Sequence, residues 1–480
     1  MIGAPATASS HRVQLLLALA AGCDTPSAGA SAQRALGLRP MSPEEHTAVF
    51  VLNLPPHASV YLGPEGQLGG EASDRVAGFW RALGLVPPGD PDHLTSLLAL
   101  YAQLSAAADD QGVRATTRST MGRMAHSLLW EHLWPWVPAY TRAVESLGEL
   151  SGIGRTLQNP YLLIRPFMRR EAVASSKIEG TITDLPQLLL FEIDEQTTRA
   201  PSDAREVFNY FRALEQSLKM LETLPISNRL IRNAHEILLT GVAAARGAHI
   251  VPGEFKTDQN WIGARLIQNA RFVPPPPKDA LEAMGDLEKF INDDHESKIP
   301  FIIKIALVHY QFETIHPFSD GNGRVGRLII PLMFHEKNKL SQPLLYLSSY
   351  FEKNYDQYID KMLNVSKHAA WKEWIEFFLI GIEETCNDAI IKTKSLQDLQ
   401  ISYHKKIQQA RTSVLLGKII DLLFANPLVT LPFLANKLEI TYNAAKNHAA
   451  RLIALGILEE MDMRRPKFLV AKEIVNITSS

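Results

Sequence analysis

The sequence predicts a mainly α-helical protein of more than one domain, and three observations carry that reading. Apolar residues recur at helical spacing through Ile302–Phe312, Val325–His335 and Ser413–Phe424. At 480 residues the chain exceeds the usual span of about 100–200 residues per domain. Its composition also changes near residue 150. No lysine precedes Lys177, and no isoleucine lies between Ile2 and Ile153, whereas Lys, Ile and Asn become common later. The 46% hydrophobic and 21% charged content is that of an ordinary globular protein. A net charge of −2 argues against a chain built around nucleic acid. Cys23 and Cys386 are too far apart to suggest a disulfide framework or a metal spacing, which fits a reducing cytoplasm. No apolar run reaches membrane-spanning length, so no membrane partner is expected.

The first segment, residues 1–147, reads as helical. Candidate helices are Ser9–Ala21, Pro43–Leu52, Ala72–Leu83, Asp92–Ala107 and Arg118–Trp130, with Pro135 and Pro138 interrupting the stretch after Glu131. Arg12 and the apolar run ending at Gly22-Cys23 have the look of a short lipoprotein signal. An amphipathic first helix is the plainer reading, because the core is short and broken by Gln14. Trp130, Trp134, Trp136, His93 and His132 are read as packing residues. Three strings, Pro55–Tyr61, Pro91-Asp92-His93-Leu94 and Glu131–Trp136, resemble the TorD-like chaperones of molybdenum oxidoreductases. That resemblance implies that Asp92-His93 lies where client proteins or their signal peptides are engaged.

The densest chemistry lies in His316-Pro-Phe-Ser-Asp320-Gly-Asn-Gly-Arg324-Val-Gly-Arg327. The flanking periodicity puts this string between two helices. Gly321 and Gly323 let the backbone approach a ligand and aim N–H groups at one point, beside the positive end of the second helix. His316 can take a proton near neutral pH. Asp320 is a hard oxygen ligand suited to Mg²⁺ held mainly by phosphates. Arg324 and Arg327, three apart, share a helix face and can fork phosphate oxygens. A His-Pro turn with a capping Asp would account for any one of these residues, but it needs neither two glycines nor paired arginines.

These residues resemble the signature of the Fic family, His-x-Phe-x-(Asp/Glu)-Gly-Asn-Gly-Arg-x-x-Arg, with each fixed position present. The resemblance implies an all-helical core over about residues 148–400 and a protein adenylyltransferase. Such an enzyme moves AMP from ATP to a Ser, Thr or Tyr hydroxyl of a target protein or of itself. By the same resemblance His316 is the base, Asp320 holds Mg²⁺, and Gly321, Asn322, Gly323, Arg324, Val325, Gly326 and Arg327 cradle the phosphates. Upstream, Arg169–Gly180 has helical propensity ending at a capping glycine. Taken alone, Glu179 would be a solvated helix-end acid. Ser175, Glu179 and Gly180 nevertheless match the family's inhibitory motif, which implies a Glu179 carboxylate pairing with Arg327 and competing with the γ-phosphate. Some relatives use that glutamate to remove AMP instead. Residues 252–277 read as a hairpin with a polyproline exit. The family pattern makes it a β-hairpin flap that presents the target's hydroxyl. Tyr358, in the expected helix Tyr355–Ser366, would border the adenine.

Residues 411–475 have a helix–turn–helix look, with strands at Leu458–Asp462 and Lys467–Val470, and they resemble a winged helix. Asn443, Lys446, Asn447, His448, Arg451, Arg464, Arg465 and Lys467 could meet DNA. Glu459, Glu460 and Asp462 oppose it, so homodimerisation or intramolecular packing is favoured. The sequence thus supports three functions: an adenylyltransferase restrained by its own helix, which the intact signature favours; a TorD-like chaperone with a secondary Fic portion; and a winged-helix regulator.

Overall fold

The structure is a computed structural model, and it describes residues 20, 58, 70–133, 136–157, 159–193, 202–242, 250–264, 266–293, 301–409, 414–461 and 467–479. The expected helices Ser9–Ala21 and Pro43–Leu52, Cys23, most of Pro55–Tyr61, Trp134, Arg464 and Arg465 lie outside these residues. The described chain is mainly helical, as its periodicity requires, and adds one small sheet. No helix among the described residues is long and apolar enough to cross a membrane.

The chain divides into two compact units. The first comprises residues 1–145, 293–307 and 359–380. It contains α1 (Gly70–Ala82), α2 (Leu94–Asp109), α3 (Ala115–Ser127), a π-helical turn (Leu128–Leu133) and the start of α4 (Val137–Thr156). Helix α2 starts two residues later than expected because His93 is its N-cap, with Nδ1 accepting from Thr95 N–H at 3.2 Å. Pro138 does not interrupt the chain. It sits in the first turn of α4, where no N–H partner is needed. Leu97, Leu100, Leu104 and Leu128 are fully buried in this unit. Trp136 is buried with its indole N–H on the His132 carbonyl, but Trp130 is half exposed, against the expectation of packing.

The second unit comprises residues 146–292, 308–358 and 381–480. Its first full helix is α5 (Pro160–Ile178), followed by α6 (Leu185–Ile193), α7 (Ser202–Met220), α8 (Asn228–Leu239) and α9 (Pro277–Asn292). Helix α10 (Phe301–Ile315) has residues in both units, α11 (Asn322–Glu336) and α12 (Ser348–Lys353) belong to the second, and α13 (Tyr355–His368) and the long α14 (Trp371–Gln409) again have residues in both. Helix α5 begins with Pro160 at its first position and ends where Gly180 turns left-handed at φ +86°. There Thr181 N–H bonds back to the Ser176 carbonyl. Leu163, Phe167, Met168 and Ala172 recur at helical spacing on its buried face. Helix α11 is apolar all round from Leu328 to Phe334, and that stretch is correspondingly buried. Each large side chain of its Leu328–Met333 stretch contributes about 1.5–3 kcal/mol of burial. Helix α5 packs against α7, α11 and α12.

The C-terminal segment runs α15 (Val414–Ala425), β1 (Leu428–Thr430), α16 (Leu431–Lys437), α17 (Tyr442–Ala454), β2 (Glu459–Glu460), β3 (Phe468–Val470) and α18 (Lys472–Ser479). The strands form one antiparallel sheet of order β1-β3-β2, with Leu428 opposite Val470 and Glu459 opposite Val470. Thr430 and Thr441 cap α16 and α17 with their hydroxyls. Asn443, Lys446, Asn447 and Arg451 are exposed on α17. Lys467 pairs with Glu460, and Lys472 with Glu459. Helix α15 lies against α5. There Arg169 forks Glu192 at 2.7 and 2.8 Å and donates to the Ala425 carbonyl at 2.6 Å.

Candidate active site

The loop 316–321 joins α10 to α11, and its own residues shape it. Gly321 takes φ +79° at the N-cap of α11. A Cβ there would also lie 3.3 Å from Leu238 and 3.5 Å from His235, so glycine serves both backbone and space. Asn322 closes the loop on itself. Its Oδ1 accepts from Phe318 N–H and its Nδ2 donates to the Phe318 carbonyl, both at 2.8 Å. The Asn322 side chain therefore braces the turn, so a phosphate contact from this residue would come from its backbone N–H at the start of α11. Asp320 Oδ1 accepts from Gly321 N–H at 2.7 Å.

His316 also has a left-handed backbone, φ +49°. Such a conformation costs on the order of 1–3 kcal/mol in a non-glycine residue and needs firm surroundings. Its Nδ1 lies 3.2 Å from the Glu313 carbonyl. A proton on Nδ1 makes that bond and leaves the Nε2 lone pair to accept a proton. Burial pushes the imidazole down to about 4. The Glu313 carbonyl, Glu179 and Asp320 oppose that change, and Lys256 adds to it. His316 is thus neutral at pH 7, the form a base requires.

The two arginines have separate surroundings. Arg324 is wholly buried, with one guanidinium nitrogen 3.2 Å from Glu206 and another 3.9 Å from Asp320 Oδ1. Arg327 donates to Ser175 Oγ at 2.9 Å, to the Ser175 carbonyl at 2.9 Å and to Glu179 Oε1 at 2.6 Å. The last contact joins residues 148 apart in sequence. Burial would raise the Glu179 carboxyl, but the adjacent Arg327 guanidinium overrides it and holds the group below its ordinary range. A Cβ on Gly323 would stand 2.3 Å from Glu179 Oε1. The carboxylate therefore lies against the first turn of α11, at the positive end of the helix, where an anion is favoured. One turn on, a Cβ on Gly326 would stand 2.3 Å from Glu313 Oε1. Gly326 thus makes room for a buried acid. Burial pushes Glu313 up to about 7; Arg327 opposes that rise and Glu179 adds to it.

Tyr358 is almost wholly buried, with its hydroxyl 2.7 Å from His309 Nε2. His309 Nδ1 lies 3.2 Å from the Gly326 carbonyl. Tyr358 therefore underpins α11 through His309 and does not face an open pocket. Val325 is also buried, at 1% exposure, so any ligand contact from it is through its backbone.

Several site residues carry no sequence signal of their own. His235 Nδ1 accepts from Gly253 N–H at 2.9 Å, which puts its proton on Nε2 for the Asp320 carbonyl, 3.0 Å away. Its ring stacks on Phe318 at 3.8 Å, and burial lowers it to about 4, so it is neutral. Glu171, one turn before Ser175, accepts from Tyr210 and Ser348 hydroxyls. Among the described residues, the hairpin expected at 252–277 is reduced to a single antiparallel bridge, Ile262 to Phe272, followed by the exit at Pro274–Pro277. A 3₁₀ turn at Ile267–Asn269 takes up the intervening residues.

Asp92 and His93 have local partners. Asp92 is buried and accepts from Ser73 Oγ at 2.8 Å, while His93 caps α2. Cys386 is buried and its thiol is pushed up by burial.

The second unit therefore holds a neutral histidine, a helix-end anion site and an arginine shared with an acid, the makings of a phosphate-handling domain. Comparison with known families makes this specific. Residues 225–334 match the Fic/DOC family, and residues 137–219 match the Fic/DOC family N-terminal region. These two matches are preceded, over residues 24–142, by a match to the nitrate reductase delta subunit family. Among curated relatives, the protein adenylyltransferase Fic of Drosophila virilis is 31% identical over 140 residues, 28% of this chain and 26% of that protein. That of Drosophila melanogaster is 29% identical over the same shares. The chain spans about a quarter of the length of these relatives. A Fic family protein from Desulfovibrio desulfuricans superimposes with a TM-score of 0.44 at 19% identity, covering 70% of this chain and 96% of that one. Fic-1 from C. elegans gives 0.43 at 18% identity, covering 67% and 96%.

Proposed function

We propose that the chain is a protein adenylyltransferase restrained by its own helix α5. The contact between Arg327 and the Ser175–Glu179 turn carries the reading. A guanidinium suited to phosphate oxygens is held instead by a carboxylate lying at the helix N-terminus. In transfer, a Ser, Thr or Tyr hydroxyl oxygen of the target attacks the α-phosphorus of ATP. The bond from that phosphorus to the bridging oxygen breaks, and pyrophosphate leaves with the electron pair. His316 Nε2 takes the hydroxyl proton. The N–H groups of the first turn of α11, Asn322 to Arg324, and the two guanidiniums offset phosphate charge, Arg327 once Glu179 has let go.

The site fits a divalent cation held mostly by the nucleotide. Asp320 is a partly exposed carboxylate, and no cluster of three His, Cys, Asp or Glu among the described residues could hold a metal alone. Bound Mg²⁺ would neutralise phosphate charge there. The segment 252–277 would offer the target's hydroxyl. The proposed domain organisation is 1–147, 148–400 and 411–475, the last as a winged helix. Its packing on α5 and its paired cations favour a regulatory role over DNA contact.

The deciding experiment is transfer of label from α-labelled ATP with Mg²⁺, comparing the parent with Glu179→Gly and His316→Ala. Label in none of them would end the enzyme reading, whereas loss of AMP from a labelled target would give the same site the reverse reaction. A pH profile adds a second check. With His316 near 4 in the free protein, kcat/KM should hold down to about pH 5 and fall about tenfold per unit below its pKa. An acid limb at the ordinary histidine value, about 6.5, would contradict the neutral base.

The nitrate reductase delta match over residues 24–142 supports a second activity for the first segment, chaperoning of a redox enzyme. A synthetic twin-arginine signal peptide should then bind the full chain with micromolar affinity, about −8 kcal/mol. No binding at millimolar peptide would remove that role.

A further inference from the structure

The segment between α8 and the Ile262 bridge runs beside the histidine loop and holds it by successive carbonyls. Lys256 Nζ donates to the Ile315 carbonyl at 3.4 Å, and its backbone N–H to the Pro317 carbonyl at 2.8 Å. Asn260 Nδ2 donates to the His316 carbonyl at 3.0 Å and to the Phe318 carbonyl at 2.9 Å. Every carbonyl from 315 to 318 thus has a donor from this one segment. Those carbonyls leave the C-terminal end of α10, where a helix has no partners of its own to offer.

The orientation of the amide is determined by its neighbour. Lys256 Nζ lies 2.7 Å from Asn260 Oδ1 and can only donate, so the amide oxygen must face lysine and its NH₂ must face the loop. Lys256 is buried, at 5% exposure, although burial brings its ammonium down to about 8. The bonds bracket His316, whose left-handed backbone persists only where the surroundings over-determine it.

We infer that Lys256 and Asn260 are positioning residues, a clamp that fixes the 315–318 backbone and so aims the His316 imidazole at the hydroxyl it deprotonates. The inference rests on the adenylyl-transfer reading. The clamp acts on the histidine side of the loop, whereas the phosphates are assigned to the N-terminal turn of α11. Loosening it should therefore slow chemistry and leave nucleotide binding in place.

Asn260→Asp, made in the Glu179→Gly background, tests this. The substitution keeps the size and the Lys256 contact but turns an oxygen, in place of the NH₂ group, toward two carbonyls. Expected is a fall of about 100-fold in kcat for label transfer, the scale of an ångström's misplacement. The KM for ATP should stay within about twofold. A collapsed loop would lose ATP as well, because Gly321–Arg327 adjoins it directly. Should the Asn260→Asp chain not fold, Lys256→Met decides. It keeps the main-chain bond to Pro317 and loses both Nζ bonds, with about a tenfold lower kcat expected at the same KM. Unchanged kcat in the folded variant, or a loss residing in KM, overturns the clamp. No transfer by the Glu179→Gly parent defeats the adenylyl-transfer reading itself and the clamp with it.

Discussion

His316→Ala should abolish label transfer, lowering kcat by about 10²–10⁴-fold, the usual contribution of a positioned general base. The expectation comes from two features of the ring. Its Nδ1 is engaged by the Glu313 carbonyl, so Nε2 is the atom left for the target's hydroxyl. Burial keeps the ring neutral, so the whole population is in the base form at pH 7. Alanine removes both without touching the phosphate side of the loop. Binding of ATP, followed by a fluorescent analogue, should change little. Retained transfer in the alanine variant would show that another group takes the proton.

Glu179→Gly should raise auto-adenylylation by about 10–100-fold. A hydrogen bond to a charged group is worth roughly 1.5–3 kcal/mol, and each 1.4 kcal/mol is a factor of ten. Arg327 gains the freedom to take phosphate, while Ser175 still anchors it through its hydroxyl and carbonyl. The side chain of Glu179 is one-third exposed, so losing the pair should cost less stability than breaking a fully buried one, about 1–3 kcal/mol. A lower melting temperature together with higher activity is therefore the expected combination. The same activity as the parent would mean that Glu179 does not restrain the site. Glu179→Gln separates charge from shape: the amide can still reach Arg327 but cannot neutralise it, so its rate should fall between the two.

Much of this architecture was legible along the chain. The helices flanking the histidine loop announced themselves by apolar spacing, and the end of α5 by a glycine that adopts φ +86°. Less legible were residues whose importance comes from what they meet. Asn322 reads as a phosphate contact in a glycine-rich string, yet both ends of its amide close the turn on Phe318. Arg324 and Arg327 read as a pair because they share a helix face, but the acids that approach that face differ. Lys256 and Asn260 sit in a stretch whose proline, glycine and tryptophan say only that the chain turns. Trp130 illustrates the opposite error, an aromatic read as core that stands half exposed.

By itself the sequence determined the mainly helical class, the change of character near residue 150 and the chemistry available between His316 and Arg327. These depend on periodicity, composition and short-range spacing, which a chain displays before it folds. Only the tertiary structure decided how that chemistry is held. It set Glu179 against Gly323 and Arg327 across 148 residues, Glu206 against Arg324 across 118, and Asn260 against the His316 carbonyl across 56. Contacts over such separations are chosen by the packing of helices around α11, where space beside a glycine and the charge at a helix end select which side chain arrives.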